Sequence, residues 1–254
     1  MDPKEQFDRQ AKYYANSPTF SSGLSLDLLS KLLKGKKFLK GLDIGTGSGF
    51  TAFEISKNCT SVDGIDISTG MLEEANRIKD ERKIKNVNFK IGYAEDLDYE
   101  DKSFDLVACR TSAHHFKNIK KAINEIERVI KNDGSIYIID TITSDQKILN
   151  SWHQKIELIR DRSHIKNYSL MEWKNYFEDS TLNLQEVHQT RVNMKLEDWM
   201  ERSGTSKSDK DLLRNEYDKA NDKIKNFFGI EKIDGDFKFY WPVGLFYLKK
   251  INLF

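Results

Sequence analysis

The sequence predicts an α/β fold with a mostly parallel β-sheet that is covered by helices on both faces. Short apolar segments alternate with helical patterns along the first half of the chain, and the first segment runs into a glycine-rich loop. Strand–helix alternation predicts parallel strands joined by right-handed crossovers. A fourth segment, at 104–109, is almost entirely apolar, as is typical of strands buried on both faces.

The chain begins with a polar segment that carries scattered aromatic residues. Between positions 4 and 20 these are Phe7, Tyr13, Tyr14 and Phe20. Two interpretations stay open: a frayed terminal arm, or a segment whose aromatic side chains close over a ligand. A leucine pattern with helical spacing then runs from Leu24 to Leu33, and Gly35 ends it.

The glycine-rich loop is the most informative stretch of the chain. An apolar segment from Phe38 to Ile44 leads into Gly45-Thr46-Gly47-Ser48-Gly49, and a helical pattern follows. Glycines let the backbone approach a ligand closely, and a helix start offers free N–H groups to an anion. The alternative is a tight turn that binds nothing.

The residues around the loop distinguish two classes of nucleotide cofactor. A dinucleotide fingerprint that begins at Gly45 needs a third glycine at position 50, where the chain has Phe50. Asp43 lies two positions before Gly45, and a carboxylate there suits a cationic amino-acid head better than a pyrophosphate. The pattern acid-x-Gly-x-Gly-x-Gly is typical of sites for S-adenosylmethionine (SAM).

A second apolar segment, residues 61–67, predicts the next parallel strand. Asp66 lies near its end and follows the first acid by 23 positions, close to the separation of about 20 at which a carboxylate binds ribose hydroxyls in this kind of fold. Asp66 could instead cap the following helix, but Ser68 or Thr69 can do so and leave Asp66 for the ribose. Ile67 and Met71 could form an apolar wall for adenine.

The other elements follow from periodicity. Strands are predicted at 87–91, 104–109, 136–140, 184–192 and 237–248, and helices at 119–130, 148–159, 170–177, 196–200 and 206–227. The segment Asn132-Asp133-Gly134 closes the first of these helices, and the last is predicted as one long helix capped by Ser206. We interpret the helices on either side of the sixth strand as a lid on one core.

Composition and charge exclude several classes of protein. The chain has 41 basic and 40 acidic residues and a net charge of +1, so no overall basic field favours nucleic acid. Its two cysteines, Cys59 and Cys109, argue against a disulfide framework or a cysteine zinc site. The first residues lack the pattern of a signal peptide, and no apolar run reaches about 18 residues. We therefore expect a cytoplasmic protein without a membrane partner.

Taken together, these residues resemble the class I SAM-dependent methyltransferases, and within them the branch around the ubiquinone and menaquinone biosynthesis methyltransferases. The segments that carry the resemblance are Asp43 to Gly49, Asp66-Ile67-Ser68, Tyr93 to Leu97, Phe104 to Val107 and Glu127 to Gly134. Residues 109–116, 160–164 and Tyr168 are similar to a narrower bacterial group, mostly of unassigned substrate.

The resemblance implies a Rossmann-like class I methyltransferase fold: a seven-stranded, mostly parallel sheet with one antiparallel strand, plus a helical lid. It also implies a single domain over residues 1–254, with a SAM-binding core at about 36–145 and the lid and last strands at about 146–254.

The resemblance further implies how SAM is held. The glycine loop and Asp43 hold its methionine end, Asp66 its ribose, and the backbone near Arg110 its amino group. The family commonly has Asp where this chain has Tyr93, so adenine recognition passes to Glu95, Asp96 or the main chain. The complete set of predicted cofactor residues is Asp43, Gly45, Thr46, Gly47, Gly49, Asp66, Ile67, Met71, Ala94, Glu95 and Arg110.

The chemistry of methyl transfer directs attention to two histidines. SAM carries its own leaving group, so the enzyme mainly positions the acceptor, and a base is needed only for a protonated acceptor such as a hydroxyl. His114 and His115 follow the fourth strand, on the face where ligands bind in open α/β sheets, and Asp140 ends the neighbouring strand. We hypothesise that His115, or alternatively His114, is the base and that Asp140 orients it. The alternative is that either histidine packs against or caps the following helix.

Several lid residues are further candidates. His164 is a candidate catalytic residue, and the candidate acceptor contacts are Tyr14, Trp152, Arg160 and Tyr168. The alternative is a polar helix end with a surface ion pair of small value. A metal site is not favoured, because adjacent histidines are awkward co-ligands and no His-Glu-x-x-His spacing occurs. Cys109 is expected to be a buried, inert thiol.

The favoured function is methylation of a small molecule, at oxygen rather than nitrogen or carbon, by a monomer or homodimer without a nucleic-acid partner. Three rivals stay open: a nucleic-acid methyltransferase or RNA-binding module, a dinucleotide oxidoreductase, and a SAM-binding protein without catalysis. The first finds support only in a lysine cluster, Lys34, Lys36, Lys37 and Lys40, which is also typical of a solvated helix end.

Overall fold

The computed structural model of the protein describes residues 3–15 and 21–250, so that Phe20 lies outside the described residues. The helices are α1 (Pro3–Ala15), α2 (Leu24–Leu33), α3 (Phe50–Ser56), α4 (Thr69–Glu81), α5 (Ile119–Val129), α6 (Lys147–Arg160), α7 (Leu170–Glu178), α8 (Leu196–Arg202), α9 (Lys207–Asp218) and α10 (Asp222–Phe228). The strands are β1 (Phe38–Ile44), β2 (Cys59–Asp66), β3 (Val87–Ile91), β4 (Phe104–Arg110), β5 (Ile130–Thr143), β6 (Tyr168–Ser169), β7 (Leu182–Lys195), β8 (Glu231–Ile233) and β9 (Asp236–Lys250). Within these ranges no helix is long and apolar enough to cross a membrane.

A mostly parallel sheet forms the centre of the molecule. Its main strands lie in the order β3-β2-β1-β4-β5-β9-β7, and β9 runs antiparallel to both of its neighbours. The short strands β6 and β8 pair with β5 and β9 and bring the sheet to nine strands. The predicted Rossmann-like sheet with one reversed strand is therefore confirmed, with two short additions.

The strand registers align the carboxyl ends of the parallel strands at one edge of the sheet. Ile44 of β1 lies opposite Ile65 of β2 on one side and Cys109 of β4 on the other. In turn, Arg110 of β4 lies opposite Ile139 of β5. Loops that leave these strands therefore meet at the edge where open α/β sheets bind ligands.

Both faces of the sheet are buried, which explains why its strands are almost wholly apolar. Along β4, Val107 and Cys109 belong to one hydrophobic cluster, with residues of α5 and α7, while Leu106 and Ala108 belong to another, with residues of α2 and α3. Successive side chains of a strand point to opposite faces, so a strand covered on both sides needs apolar residues at every position.

A third hydrophobic cluster holds the lid together. It combines aromatic residues of α6, α8, α9 and α10 with the first half of β9, among them Trp152, Trp199, Tyr217, Phe239 and Trp241. Strand β9 then continues into the sheet through Leu245 and Phe246. One strand thus connects the lid with the core.

The structure corrects two predicted boundaries. The single helix predicted at 206–227 is broken into α9 and α10, because the Asn221 side chain accepts a hydrogen bond from Ile224 N–H at 3.0 Å and caps a new helix. Strand β5 begins at Ile130, directly after α5, and continues past Asp140 to Thr143. The predicted turn at Asn132-Asp133-Gly134 lies inside it, where Asp133 has a φ of 61°.

All three glycines of the β1–α3 loop have a positive φ, and two of them, Gly45 and Gly47, lie in different surroundings. Gly45 has a φ of +66°, and a Cβ there would lie 2.5 Å from the Cβ and Oγ of Ser112. Gly47 has a φ of +52°, and a Cβ there would meet no atom within 4 Å. The first glycine is required by a close neighbour, whereas the second borders open space.

These surroundings lead to a stability prediction. Gly47→Ala should lower the free energy of unfolding by about 1–2 kcal/mol, the usual cost of a left-handed conformation for a residue with a Cβ. Gly45→Ala carries the same cost and a clash with Ser112 that should add about 1–3 kcal/mol. Urea denaturation of both variants measures the difference. Equal losses would contradict the close packing of Ser112 on the loop.

Candidate functional site

A cavity of about 600 Å³ opens at the carboxyl ends of β1, β2 and β4. Its volume is within the range of roughly 300–1,000 Å³ that is usual for small-molecule sites. We call it the main cavity. The predicted cofactor residues that line it are Gly45, Thr46, Gly47, Asp66, Ile67, Met71, Ala94, Glu95 and Arg110.

Asp66 presents a carboxylate at one wall of the main cavity. Its oxygens accept hydrogen bonds from Gly47 N–H at 2.8 Å and Ser68 N–H at 2.9 Å. Burial raises its pKa to about 6, against the effect of these backbone donors. The cap of α4 is Ser68, whose hydroxyl accepts from Met71 N–H at 3.1 Å. As predicted, Asp66 is not needed as a helix cap.

Asp43 lies behind the glycine loop and does not itself line the main cavity. One carboxylate oxygen, Oδ2, accepts a hydrogen bond from the Thr46 hydroxyl at 2.5 Å, and the other, Oδ1, is buried with no hydrogen-bond partner in the described part of the chain. Burial raises the pKa of Asp43 to about 7, although Thr46 and the positive charge of Arg110 oppose the shift. Gly49 also lies off the cavity, where it caps α3 with a φ of +87°.

The end of β4 supplies a buried guanidinium. Arg110 lines the main cavity, and its Nε and Nη1 donate to the hydroxyls of Thr51 at 2.9 Å and Ser25 at 3.3 Å. Burial lowers its pKa to about 10, and the nearby carboxylate of Asp43 opposes the shift. The next residue, Thr111, has a φ of 56°, a strained conformation for a β-branched residue and one that is found mostly at functional sites.

Three histidine rings cluster beyond β4. The ring of His114 lies 4.2 Å from that of His115 and 5.7 Å from that of His164, centroid to centroid. His114 Nδ1 lies 2.6 Å from Asp140 Oδ1, and the backbone N–H of His114 donates to Asp140 Oδ2 at 3.0 Å. Burial opposes protonation of His114, but the carboxylate of Asp140 prevails and raises its pKa.

The histidine oriented by Asp140 is therefore His114, which corrects the expectation that gave this partner first to His115. His115 Nδ1 lies 3.2 Å from the Ser163 carbonyl oxygen instead, and its ring packs edge-on against Phe7 at 4.9 Å. Burial and the neighbouring His114 lower the pKa of His115 to about 4. His115 nevertheless lines the main cavity.

His164 lies next to the other two histidines but does not line the main cavity. Its Nε2 lies 3.2 Å from Gln154 Oε1, and burial lowers its pKa to about 3. A residue in this position can support the ring of His114. Cys109 is likewise buried, and burial raises the pKa of its thiol, as expected of an inert cysteine.

The N-terminal helix covers the main cavity. Phe7 and Tyr14 of α1 line it, whereas Tyr13 is exposed. The Asp8 carboxylate accepts hydrogen bonds from the Ser68 hydroxyl at 2.7 Å and Gly70 N–H at 3.0 Å, and so fastens α1 to the start of α4. Of the two interpretations of this segment, the structure favours a cover over a ligand.

A second, smaller cavity of about 80 Å³ lies between the sheet edge and the lid. We call it the lid chamber. It shares Tyr14, Arg110 and His115 with the main cavity, so that the two adjoin. His114 and Arg160 also line it, which brings two of the predicted acceptor contacts, Tyr14 and Arg160, together with the histidines.

The other two predicted acceptor contacts lie in hydrophobic clusters. Trp152 lies in the lid cluster, with its ring 5.3 Å from Tyr217 and 5.2 Å from Phe228. Tyr168 packs in the core, with its ring 5.2 Å from Trp173. Neither lines the main cavity or the lid chamber. The structure thus places both side chains in packing positions, apart from the cavities that Tyr14 and Arg160 line.

Sequence reasoning missed several polar residues of the site. Asn167, Arg202 and Trp241 line the lid chamber, and Asp161 accepts hydrogen bonds from the N–H and hydroxyl of Ser163 next to His115. These residues come from the loop that follows α6, from α8 and from β9. No local spacing links them, so no sequence signal marked them as one site.

Comparison with known proteins agrees with this geometry. A family model described as a methyltransferase domain matches residues 36–215. YcgJ of Bacillus subtilis, an uncharacterized methyltransferase, is 30% identical over 230 residues, which cover 91% of each chain. The crystal structure of YcgJ matches with a TM-score of 0.85 and covers 90% of this chain and 98% of YcgJ.

A more distant relative indicates the branch. The demethylmenaquinone methyltransferase of Chlorobaculum tepidum is 33% identical over 111 residues, 43% of this chain and 44% of that protein. The family model spans most of the chain, and YcgJ matches nearly all of it. The chain therefore belongs to the class I SAM-dependent methyltransferases, in the branch around the ubiquinone and menaquinone biosynthesis methyltransferases.

Proposed function

We propose that this enzyme transfers the methyl group of SAM to a hydroxyl oxygen of a small molecule, with His114 as the general base and Asp140 as the residue that orients it. The observation that carries the proposal is the pair between His114, which lines the lid chamber next to the main cavity, and the buried carboxylate of Asp140. We also propose that it works as one domain, with a core at about 36–145 and a lid at about 146–254.

The main cavity fits SAM by its chemistry. Asp66 would bind the ribose hydroxyls, and the apolar side chains of Ile67 and Met71, with Ala94, would border the adenine. The open space at Gly47 admits a ligand close to the backbone. Asp43, with its unpartnered Oδ1, would stabilise the cationic amino group. When bound, SAM supplies a methyl group on a positively charged sulfur and leaves as S-adenosylhomocysteine (SAH).

His114 suits the role of a base because of its hydrogen bond. A carboxylate can only accept, so the Nδ1 next to Asp140 carries the proton and Nε2 is left as the basic nitrogen. The raised pKa of His114 strengthens it as a proton acceptor. His115 and His164, whose pKa values are lowered to about 4 and about 3, stay neutral near pH 7 and do not repel a protonated His114.

A direct test is transfer of a labelled methyl group from SAM to a panel of small molecules, after calorimetry has measured SAM binding. Methylation of hydroxyl compounds that is lost in His114→Ala would support the proposal. Methylation of RNA, or of amines alone, would contradict it.

Cofactor binding gives a first specific prediction. Asp66→Ala should weaken SAH binding roughly 10- to 100-fold, because a hydrogen bond to a charged group contributes about 1.5–3 kcal/mol. The matched control is Asp63→Ala, on the same strand but next to Lys40 at 3.6 Å and outside both cavities. Titration calorimetry measures both. Unchanged affinity in Asp66→Ala would remove this carboxylate from the cofactor site.

The pH dependence of turnover gives a second prediction. A base must be neutral to accept a proton, so kcat should fall as the pH falls through the pKa of His114, which lies above the ordinary histidine value. Asp140→Asn removes the main cause of that raised pKa and should move the acidic limb of the profile to lower pH. His114→Ala should lower kcat roughly 10²- to 10⁴-fold.

The control for this series is His188→Ala. His188 is partly exposed, pairs with Glu186 at 2.7 Å and lies outside both cavities, so its loss should leave kcat unchanged. Full activity in His114→Ala, or an acidic limb that does not move in Asp140→Asn, would argue that the enzyme only positions its acceptor.

A further inference from the structure

The lid chamber is unusually rich in hydrogen-bond donors for a cavity of about 80 Å³. Three guanidinium groups line it, those of Arg110, Arg160 and Arg202. Glu157 is the one carboxylate that lines it among the residues that the structure describes. Guanidinium groups are donors without acceptor capacity and match the two oxygens of a carboxylate.

Arg160 and Arg202 bring like charges to the same small space. The Arg160 side chain is 11% exposed and that of Arg202 is 8% exposed. Burial lowers the pKa of Arg202, and the positive charge of Arg160 lowers it further. Burial also opposes the charge of Arg160, but Tyr14, Glu157 and Asp161 outweigh it and raise the pKa of Arg160. The repulsion is therefore seen at Arg202, and an anion between the two guanidinium groups would offset it.

Each of these two arginines forms an ion pair with a carboxylate. Glu157 Oε2 lies 3.7 Å from Arg160 Nη1, beyond hydrogen-bond distance, and Glu157 also faces His153. Asp198 lies outside the chamber, 3.1 Å from Arg202 Nε. Arg160 is held in place by Trp199, whose carbonyl oxygen accepts from Nε at 3.0 Å and whose ring lies 4.8 Å from the guanidinium carbon.

Trp241 gives an independent indication of a ligand. Its side chain is buried and lines the lid chamber, and its indole N–H has no hydrogen-bond partner among the described residues. A buried donor without a partner is costly unless a ligand or water satisfies it. Trp152 and Trp173 also have N–H groups without a partner among the described residues, but neither lines the main cavity or the lid chamber.

We propose that the methyl acceptor carries a carboxylate and that this group binds in the lid chamber, between the guanidinium groups of Arg160 and Arg202 and the indole N–H of Trp241. This inference rests on the proposed function, because it assigns an acceptor class to the same site. The chamber has room for roughly two or three water-sized groups, enough for a carboxylate but not for a whole acceptor. The rest of the acceptor then extends past His114 toward the main cavity.

The experiment measures anion binding, not turnover. The melting temperature of the SAH-loaded enzyme is followed with acetate and benzoate, with the neutral isosteres acetamide and benzamide, and with inorganic phosphate, all at one ionic strength. We expect both carboxylates to raise the melting temperature and the two amides to leave it unchanged. Stabilisation by the amides as well, or by phosphate in place of the carboxylates, would overturn the assignment.

Variants locate the binding. Arg160→Gln should weaken benzoate binding at least tenfold, and Trp241→Phe, which keeps an aromatic ring and removes the N–H, should weaken it several-fold. The matched controls are Arg162→Gln, on the surface with Asp209 at 2.8 Å, and Trp173→Phe, in the core away from both cavities. Both controls should bind benzoate as the original enzyme does. Undiminished binding in Arg160→Gln and Trp241→Phe would overturn the proposal.

Two measurements separate the possible failures. SAH affinity and the melting temperature without anion are determined for every variant, which shows whether the lid still folds. If the lid of Arg160→Gln no longer folds, benzoate binding by Trp241→Phe alone decides the proposal. If the original enzyme does not bind SAH, the proposed function itself fails. If it binds SAH but no carboxylate, only this inference fails.

Discussion

The site depends on buried carboxylates at the carboxyl ends of parallel strands. The registers of β1, β2 and β5 bring Asp43, Asp66 and Asp140 to one edge of the sheet. Burial disfavours the charge of Asp43 and Asp66 and raises both pKa values. Each acid is kept in place by a different donor: the Thr46 hydroxyl, two backbone N–H groups, or the ring of His114. The glycine loop, the end of β2 and the turn at residues 113–115 therefore share one role, which is to stabilise carboxylates that are poorly solvated.

Those parts of the fold and site that depend on local sequence could be predicted from it. The glycine loop, the parallel pairing of the first strands and several residues that line the main cavity could be predicted from apolar runs, short motifs and the family resemblance that these motifs carry, because strand and turn signals act over a few residues. The choice between two adjacent histidines could not be made in this way. Residues 113–115 form a 3₁₀ turn, in which successive side chains point about 120° apart, so only one of His114 and His115 can meet Asp140. Which one does so depends on how the turn leaves β4.

The lid illustrates a second limit of sequence reasoning. Trp152, Trp199 and Trp241 all occur in aromatic, amphipathic segments, yet Trp152 packs wholly within the lid while the other two border a cavity. Hydrophobic periodicity shows that a face is buried, but not whether protein or ligand covers it. The break at Asn221 has a similar cause, since the apolar stripe continues through both helices and only the capping side chain marks the interruption.

Strand β9 gives the lid chamber a fixed depth. Trp241, in the chamber wall, is two residues from Val243, which pairs with Thr141 of the central sheet, and the β7 ladder supports both positions. This wall cannot retreat without breaking the hydrogen bonds of the sheet, whereas α1, on the other side, is attached through side chains, among them Asp8, which binds Ser68 and Gly70, and Gln6, which donates to the Ser203 carbonyl oxygen at 2.7 Å. The proposed binding mode therefore sets a limit on the length of the acceptor: compounds lengthened by one methylene at the carboxylate end should bind more weakly, while bulk near α1 should be tolerated better.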